Sequence, residues 1–196
     1  MSPTSNDLAD EVDAITAAWH AQLPTLDVEP MHVFSRLHRL AHHIESMRAA
    51  TFAQHDLTMW QFDVLAALRR AGEPYELTPG RLVAQTHVSS GTMTNRIDRL
   101  AERGLVDRRG SNDDRRIVLV RLTPAGRAAV DAAVSDLVTR ERAVLAALDG
   151  PGEDGVPHAG ELAEALRALL HRYETQTGVA RSGRAPVPVP RTVAAP

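Results

Sequence analysis

Residues Thr78–Gly126 read TPGRLVAQTHVSSGTMTNRIDRLAERGLVDRRGSNDDRRIVLVRLTPAG, and this stretch decides the fold. Its first part predicts two short helices. Thr78 is a good N-cap before a proline at the first helical position, so the first helix is expected over 79–85. The residues around 85–87 leave room only for a tight turn before a second helix, which begins at Ser89-Ser90.

The second part of the stretch predicts a β-hairpin. Gly104 ends the second helix, and two β-rich runs follow over 105–108 and 117–122. Between them lies a polar segment, 109–116, whose composition is typical of a hairpin tip. Two short helices followed by such a hairpin form a winged helix-turn-helix, and in this motif the second helix lies in the major groove of DNA.

The second helix has the composition that a groove-reading helix requires. Met93, Ile97 and Leu100 recur at helical spacing and are expected to be buried, which directs small polar side chains to the opposite side. The hairpin tip adds arginines, which narrow A/T minor grooves attract. The predicted DNA-binding residues are Ser89, Ser90, Thr92, Thr94, Asn95 and Arg99 on the helix and Arg115 and Arg116 at the tip.

The charge distribution agrees with a DNA-binding module. The stretch from Arg81 to Arg121 contains nine arginines and five acidic residues, so it carries +4, whereas the rest of the chain carries −7 and the whole chain −3. A basic module in an acidic protein is typical of a phosphate-binding surface. The alternative is a winged-helix module that binds another protein and does not recognise DNA specifically. The Ser/Thr/Asn-rich helix and the wing arginines favour DNA binding over this alternative.

The flanking sequence predicts more helices, hence a mostly α protein with a small β-wing. An apolar stripe from Leu8 to Leu23 predicts a first helix at 7–22, and another helix follows at 27–55. The predicted organisation is a disordered N-terminus at 1–6, N-terminal helices at 7–55, the winged helix-turn-helix at 56–122, C-terminal dimerisation helices at 123–177 and a disordered tail at 178–196.

Several functional classes find no support in the sequence. There is no cysteine, no paired catalytic base and no phosphate loop, so no enzyme and no cofactor is predicted. No apolar run is long enough for a membrane helix and the N-terminus is polar, so a cytoplasmic protein is expected. His38, His42 and His43 form a cluster that is interpreted first as a solvated helix face, then as a pH-sensitive one, and last as a metal site.

The stretch Thr78–Gly126 resembles the MarR family of bacterial transcription regulators. The family's wing pattern, Asp-x-Arg-x-x-x-Val-x-Leu-Thr, is matched by Asp114, Arg116, Val120, Leu122 and Thr123, and residues 89–96 resemble its recognition helix. Helices before and after the module agree in number and length over about residues 7–175. The resemblance implies a homodimer, clamped by its N- and C-terminal helices, that binds a pseudo-palindromic operator.

The additional helix at 7–22 is similar to one found in the urate-responsive branch of that family. The resemblance implies a small anionic effector, such as urate or a related purine or organic acid, bound by Trp19, Asp63, Arg96 and Arg108. Two arginines suit a planar anion, and Asp63 would pair with Arg96 when the site is empty. The alternatives are that Trp19 is simply core and that Asp63–Arg96 is a structural ion pair. No metal is predicted in this site.

Overall fold

The computed structural model describes residues 9–110, 118–146 and 159–177. Over these residues the chain is mostly helical with one small antiparallel sheet, as predicted. The elements are α1 (Glu11–Gln22), α2 (Glu29–Ala53), α3 (Met59–Arg70), β1 (Glu76–Leu77), α4 (Pro79–Thr86), α5 (Ser90–Glu102), β2 (Val106–Gly110), β3 (Val118–Leu122), α6 (Pro124–Leu145) and α7 (Ala159–Thr177).

The predicted winged helix-turn-helix is present and its local signals act as expected. The Thr78 hydroxyl accepts a hydrogen bond from the Arg81 backbone N–H at 3.3 Å, with Pro79 in the first turn of α4. His87 takes a left-handed conformation, φ +53°, and so turns the chain between α4 and α5. Gly104, at φ +67°, lets the chain leave α5 and enter the wing.

The sheet sets which wing side chains face α5. Its strand order is β1-β3-β2, with Arg108 opposite Val120 and Asp107 opposite Arg121. Because successive side chains alternate between the faces of a strand, Arg108 shares the inner face with the buried Val106 and Val120. Asp107, Arg109 and Arg121 therefore lie on the outer face of the wing.

One hydrophobic core joins the DNA-binding elements to the neighbouring long helices. Met93, Ile97 and Leu100 of α5 are all buried, as their spacing predicted. The core extends to the end of α2, where the Phe52 ring stacks on Phe62 with centroids 3.9 Å apart. It also includes Val130, Ala133 and Leu137 of α6. Helix α3 links the two parts of this core, because it contacts α4 and β3 on one side and α2 and α6 on the other.

Several boundaries differ from prediction, among them those of α2, which spans Glu29–Ala53 rather than 27–55. The first helix begins at Glu11 rather than residue 7, because Asp10 forms a capping box with Asp13 and fixes the start. The fourth helix continues to Thr86 and α5 begins at Ser90, so the turn between them shifts by one residue and keeps three residues, 87–89. The predicted domain division as a whole stays a prediction, and 1–6 and 178–196 lie outside the described residues.

The long helices expose apolar side chains that one protomer does not cover. No residue of α7 is buried, and Leu166, Leu170 and Tyr173 are all exposed. The same is true of Val33, Phe34, Leu40 and Ile44 on α2 and of Val134 and Val138 on α6. None of the helices in the described ranges is long and apolar enough to span a membrane.

Candidate nucleic-acid interface and effector site

The N-terminal half of α5 is a solvent-exposed polar surface. Ser89 caps the helix: its Oγ accepts a hydrogen bond from the Thr92 backbone N–H at 3.2 Å and lies 2.9 Å from the Thr92 hydroxyl. Ser90, Asn95 and Arg99 are exposed, so the predicted reading residues of α5 all face solvent. Thr94 is exposed too, but its hydroxyl donates to the Ser90 carbonyl at 3.1 Å and so bonds to its own helix.

The C-terminal end of α5 is fixed by the side chain of Gln61, in the first turn of α3. Gln61 is buried, and its Oε1 accepts from the Thr58 backbone N–H at 2.9 Å. The same oxygen accepts from Arg103 Nη1 at 3.0 Å. One amide oxygen therefore ties the start of α3 to the end of the recognition helix. Nothing in the local sequence identifies Arg103 as its partner.

The base of the wing is joined to α5 by an ion pair. Arg108 Nη2 lies 2.6 Å from Asp98 Oδ1, and the same nitrogen donates to the Thr94 carbonyl at 3.4 Å. Arg108 was predicted as an effector ligand, whereas Asp98 was not singled out. The two predicted tip residues, Arg115 and Arg116, lie outside the described residues. The contacts given for the wing are therefore those of its base.

Arg96 points into the scaffold rather than towards the reading face of α5. Its guanidinium lies over the ring of Trp60 on α3, 5.4 Å from the ring centroid. This is a cation–π contact, and the side chain is half-buried. The expectation that Arg96 pairs with Asp63 in the empty protein is wrong, since among the described residues no hydrogen bond or ion pair joins them. The Trp60 face is the partner that the sequence reasoning missed.

Asp63 lies close enough to three arginines for their positive charges to affect its ionisation. Surrounding protein desolvates its carboxylate and raises its pKa, while Arg48, Arg96 and Arg70 act in the opposite direction. Desolvation has the larger effect, so the fold disfavours the ionised form at this position. Arg48, Arg70 and Arg96 belong to α2, α3 and α5, so three helices contribute positive charge near this carboxylate.

Trp19 is not core within one protomer, since 46% of its surface is exposed. Its helix α1 packs on α2, where Arg36 bonds Asp10 at 2.8 Å and Asp13 at 2.7 Å. The bond to Arg36 lowers the pKa of Asp10, and the hydrogen bond from the Asp10 backbone N–H, together with Arg36, lowers the pKa of Asp13. Within the described ranges, no hydrogen bond, ion pair or ring contact joins Trp19 to Asp63, Arg96 or Arg108.

The histidine cluster of α2 carries no assembled metal site. The rings of His42 and His43 lie 6.1 Å apart and tilted. In the parts of the chain that the structure describes, no group of three or more His, Asp or Glu side chains could hold a metal ion.

Comparison with known proteins identifies the family to which this architecture belongs. A sequence model of the MarR family matches residues 55–117. The chain is 36% identical over 164 residues to the HTH-type transcriptional regulator PecS of Dickeya dadantii, covering 84% of this chain and 93% of PecS. An Escherichia coli MarR variant complexed with operator DNA superimposes with a TM-score of 0.56 at 25% identity, over 79% of this chain and 96% of that one.

A third relative is a regulator with a small-molecule effector. Bordetella bronchiseptica BpsR, whose DNA binding is regulated by 6-hydroxynicotinic acid, is 29% identical with a TM-score of 0.50, over 71% of this chain and 98% of that chain. The fold, the match to the family model and the sequence identity with PecS over most of both chains all indicate the same family. The chain therefore belongs to the MarR family of transcriptional regulators, which are DNA-binding proteins and not enzymes.

Proposed function

We propose that the chain is a repressor that binds a pseudo-palindromic operator as a homodimer and is released by a small planar anion. The exposed polar half of α5 carries the DNA-binding part of this proposal. Asn95 and Thr92 read base edges in the major groove, and Asn can bond adenine with two hydrogen bonds. Ser89 and Ser90 lie at the helix N-terminus, whose backbone N–H groups suit a phosphate.

The remaining predicted contacts position the helix and the wing. Thr94 offers its methyl group, because its hydroxyl already bonds to the Ser90 carbonyl. Arg99 binds the DNA backbone, and Arg115 and Arg116 at the wing tip enter the neighbouring minor groove. The uncovered apolar faces of α2, α6 and α7 support dimerisation. In such a dimer the two recognition helices must be one DNA turn, about 34–36 Å, apart.

Replacing Asn95 tests the reading role directly. Asn95→Ala removes a side chain that is exposed, so the fold should not change. We expect operator binding to weaken by about 1–3 kcal/mol and binding to random DNA to change much less. Fluorescence anisotropy with the operator and with a scrambled duplex at one salt concentration measures both. Equal losses on the two duplexes would show that Asn95 only positions the helix.

The effector part of the proposal rests on the chemistry of the four predicted residues, of which Asp63 and Arg96 lie near each other. Arg96 and Arg108 supply forked donors for a planar anion, and Asp63 accepts from ring N–H groups. The exposed Trp19 ring offers a flat apolar surface. Urate, a related purine or an organic acid fits this chemistry, and the relative BpsR responds to a small aromatic acid.

Release of the operator follows from the bonds that these arginines make in the empty protein. An anion that binds Arg108 competes with Asp98, and one that binds Arg96 draws it away from Trp60. Both exchanges loosen α5 from its neighbours. A coupling of roughly 1–3 kcal/mol changes operator affinity about 5–150-fold, and operator DNA must weaken effector binding by the same factor.

An operator titration with urate, xanthine or citrate tests this site, on the unchanged protein and on Asp63→Asn and Arg96→Ala. We expect both variants to bind the operator but to respond poorly to the active compound. Burial raises the pKa of Asp63, so the ionised carboxylate destabilises the folded protein at pH values above the usual titration range of an aspartate. Asp63→Asn removes this charge and should therefore not destabilise the protein at pH 7. If both variants respond like the unchanged protein, the effector binds elsewhere.

A further inference from the structure

A pocket lies behind the wing, on the face of the sheet that points away from α5. Its volume is about 760 Å³, within the range of about 300–1,000 Å³ that is typical of small-molecule sites. The turn that precedes β1 forms one wall, the outer face of β2 and β3 forms the second, and the first turns of α6 form the third. None of the residues proposed above for the effector lines it.

Three arginines from three different elements line this pocket. The side chains of Arg109 of β2 and Arg121 of β3 make no hydrogen bond and no ion pair with any described residue. Arg127 of α6 has, among the described residues, one distant ion-pair partner, with its Nε 3.8 Å from Asp131 Oδ2. Free guanidinium groups keep all their donors available, and several of them around one pocket favour an anionic ligand.

The acidic residues of the pocket do not neutralise these arginines by close pairing. Asp131 is held by Arg69 from outside the lining, at 2.7 Å. Glu73 accepts a hydrogen bond from the Tyr75 hydroxyl at 3.3 Å. Asp107 lies opposite Arg121 in the strand register, yet the two form no ion pair within 4 Å. As far as the described residues go, the side-chain donors of Arg109 and Arg121 are therefore left for a ligand.

The Tyr75 ring in the pocket lining contacts two guanidinium groups, that of Arg127 from the lining and that of Arg69 from outside it. The guanidinium of Arg69 lies 5.0 Å from the centroid of the Tyr75 ring, and that of Arg127 lies 5.2 Å from it. Guanidinium groups are planar and stack on aromatic rings. Arg127 is exposed, so the face turned away from Tyr75 can receive a second ring.

We propose that this pocket binds a small metabolite that combines a planar ring with one phosphate or carboxylate group. The anionic group binds Arg109 and Arg121, and the ring stacks on Arg127. Such a ligand bridges the two wing strands and α6, so it connects the part of the protein that contacts DNA to a long helix of the scaffold. It acts independently of an effector at Asp63 and Arg96.

Isothermal titration calorimetry of the full chain in phosphate-free buffer tests the site. The probes are adenosine monophosphate for a phosphate and naphthoate for a carboxylate, with adenosine and inorganic phosphate as partial ligands. We expect one of the two complete probes to bind, and both partial ligands to bind at least about tenfold more weakly. Arg121→Gln and, independently, Arg127→Gln should weaken the complete probe by about tenfold or more.

Two variants separate this pocket from other sites. Arg142→Gln removes an arginine from the same helix α6, outside the pocket lining, and should bind the probe like the unchanged protein. Asp63→Asn, in the proposed effector site, shows whether the probe binds there instead. The proposal is wrong if neither complete probe binds with a Kd below about 1 mM. It is also wrong if Arg121→Gln and Arg127→Gln both leave binding intact, or if Asp63→Asn abolishes it.

Discussion

At the scale of single residues, Gly126 shows how closely the turn after the recognition helix approaches the long helix α6. A Cβ atom at this position would lie 2.0 Å from the carbonyl oxygen of Leu105, so only glycine fits. Beside it, the Thr123 hydroxyl donates to the Gly104 carbonyl at 2.7 Å and accepts from the Gly126 N–H at 3.0 Å. The turn that ends α5 is therefore docked, backbone to backbone, on the start of α6.

Replacing Gly126 by alanine should destabilise the protein, since neither of the two backbone segments in contact can move aside easily. We expect a loss of about 1–3 kcal/mol in the free energy of unfolding, as for overpacked sites. Urea denaturation measures it. Gly80→Ala is the matched control, because nothing lies within 4 Å of its Cβ. An alanine is favoured there by helix propensity, so stability should hold or rise. Equal stability of the two variants would contradict the close approach.

At the scale of elements, the wing and the recognition helix are held together by few polar contacts. The Asp98–Arg108 pair at 2.6 Å joins α5 to β2, and the buried Val106 and Val120 lie on the same face of the sheet. Both charged side chains are nearly half exposed, so the pair adds little to global stability. Its role is to set the angle between two elements that must contact one DNA duplex together.

Asp98→Ala should therefore weaken operator binding several-fold while changing the free energy of unfolding by less than about 1 kcal/mol. Hydrogen exchange of the β2 amides should become faster. Glu164→Ala is the control, since it removes an exposed ion pair with Arg167 inside one helix and joins no two elements. Operator affinity that is unchanged in Asp98→Ala, or reduced equally in Glu164→Ala, would contradict this role.

At the scale of the whole molecule, α7 requires a surface that one protomer does not supply. No residue of this helix is buried, although Leu166, Leu170 and Tyr173 form an apolar stripe. A helix of 19 residues gains most of its stability from packing its apolar face. A second copy of the chain is the expected cover, as is typical of this family.

Leu170→Glu should dissociate the dimer, because a carboxylate would be buried against the apolar partner surface. Light scattering after gel filtration measures the mass, and anisotropy should show a much weaker operator complex, since a monomer binds only one half-site. Ala168→Glu is the control, as Ala168 lies on the opposite side of α7 from Leu166 and Leu170. The assignment fails if Leu170→Glu stays dimeric, or if Ala168→Glu dissociates as well.

The sequence by itself determined the helices, the turn, the wing strands and the polar reading face of α5. These features depend on residues a few positions apart. Thr78 and Ser89 cap the helices that follow them, Gly104 takes its positive φ, and the Met93 stripe is buried because helical spacing puts it on one side. Short-range hydrogen bonds and hydrophobic periodicity decide such features without help from the rest of the chain.

Only the tertiary structure decided which distant side chains meet. Arg96 lies on Trp60 rather than pairing with Asp63, Gln61 bonds Arg103, and the pocket behind the wing assembles around Tyr75 and Arg127. Strand alternation likewise sends Arg108 and its neighbour Arg109 to opposite faces of the wing. The chain contains several arginines, aromatic rings and carboxylates that could form such contacts. The packing of the core, and not the local sequence, decides which of these side chains come within contact distance.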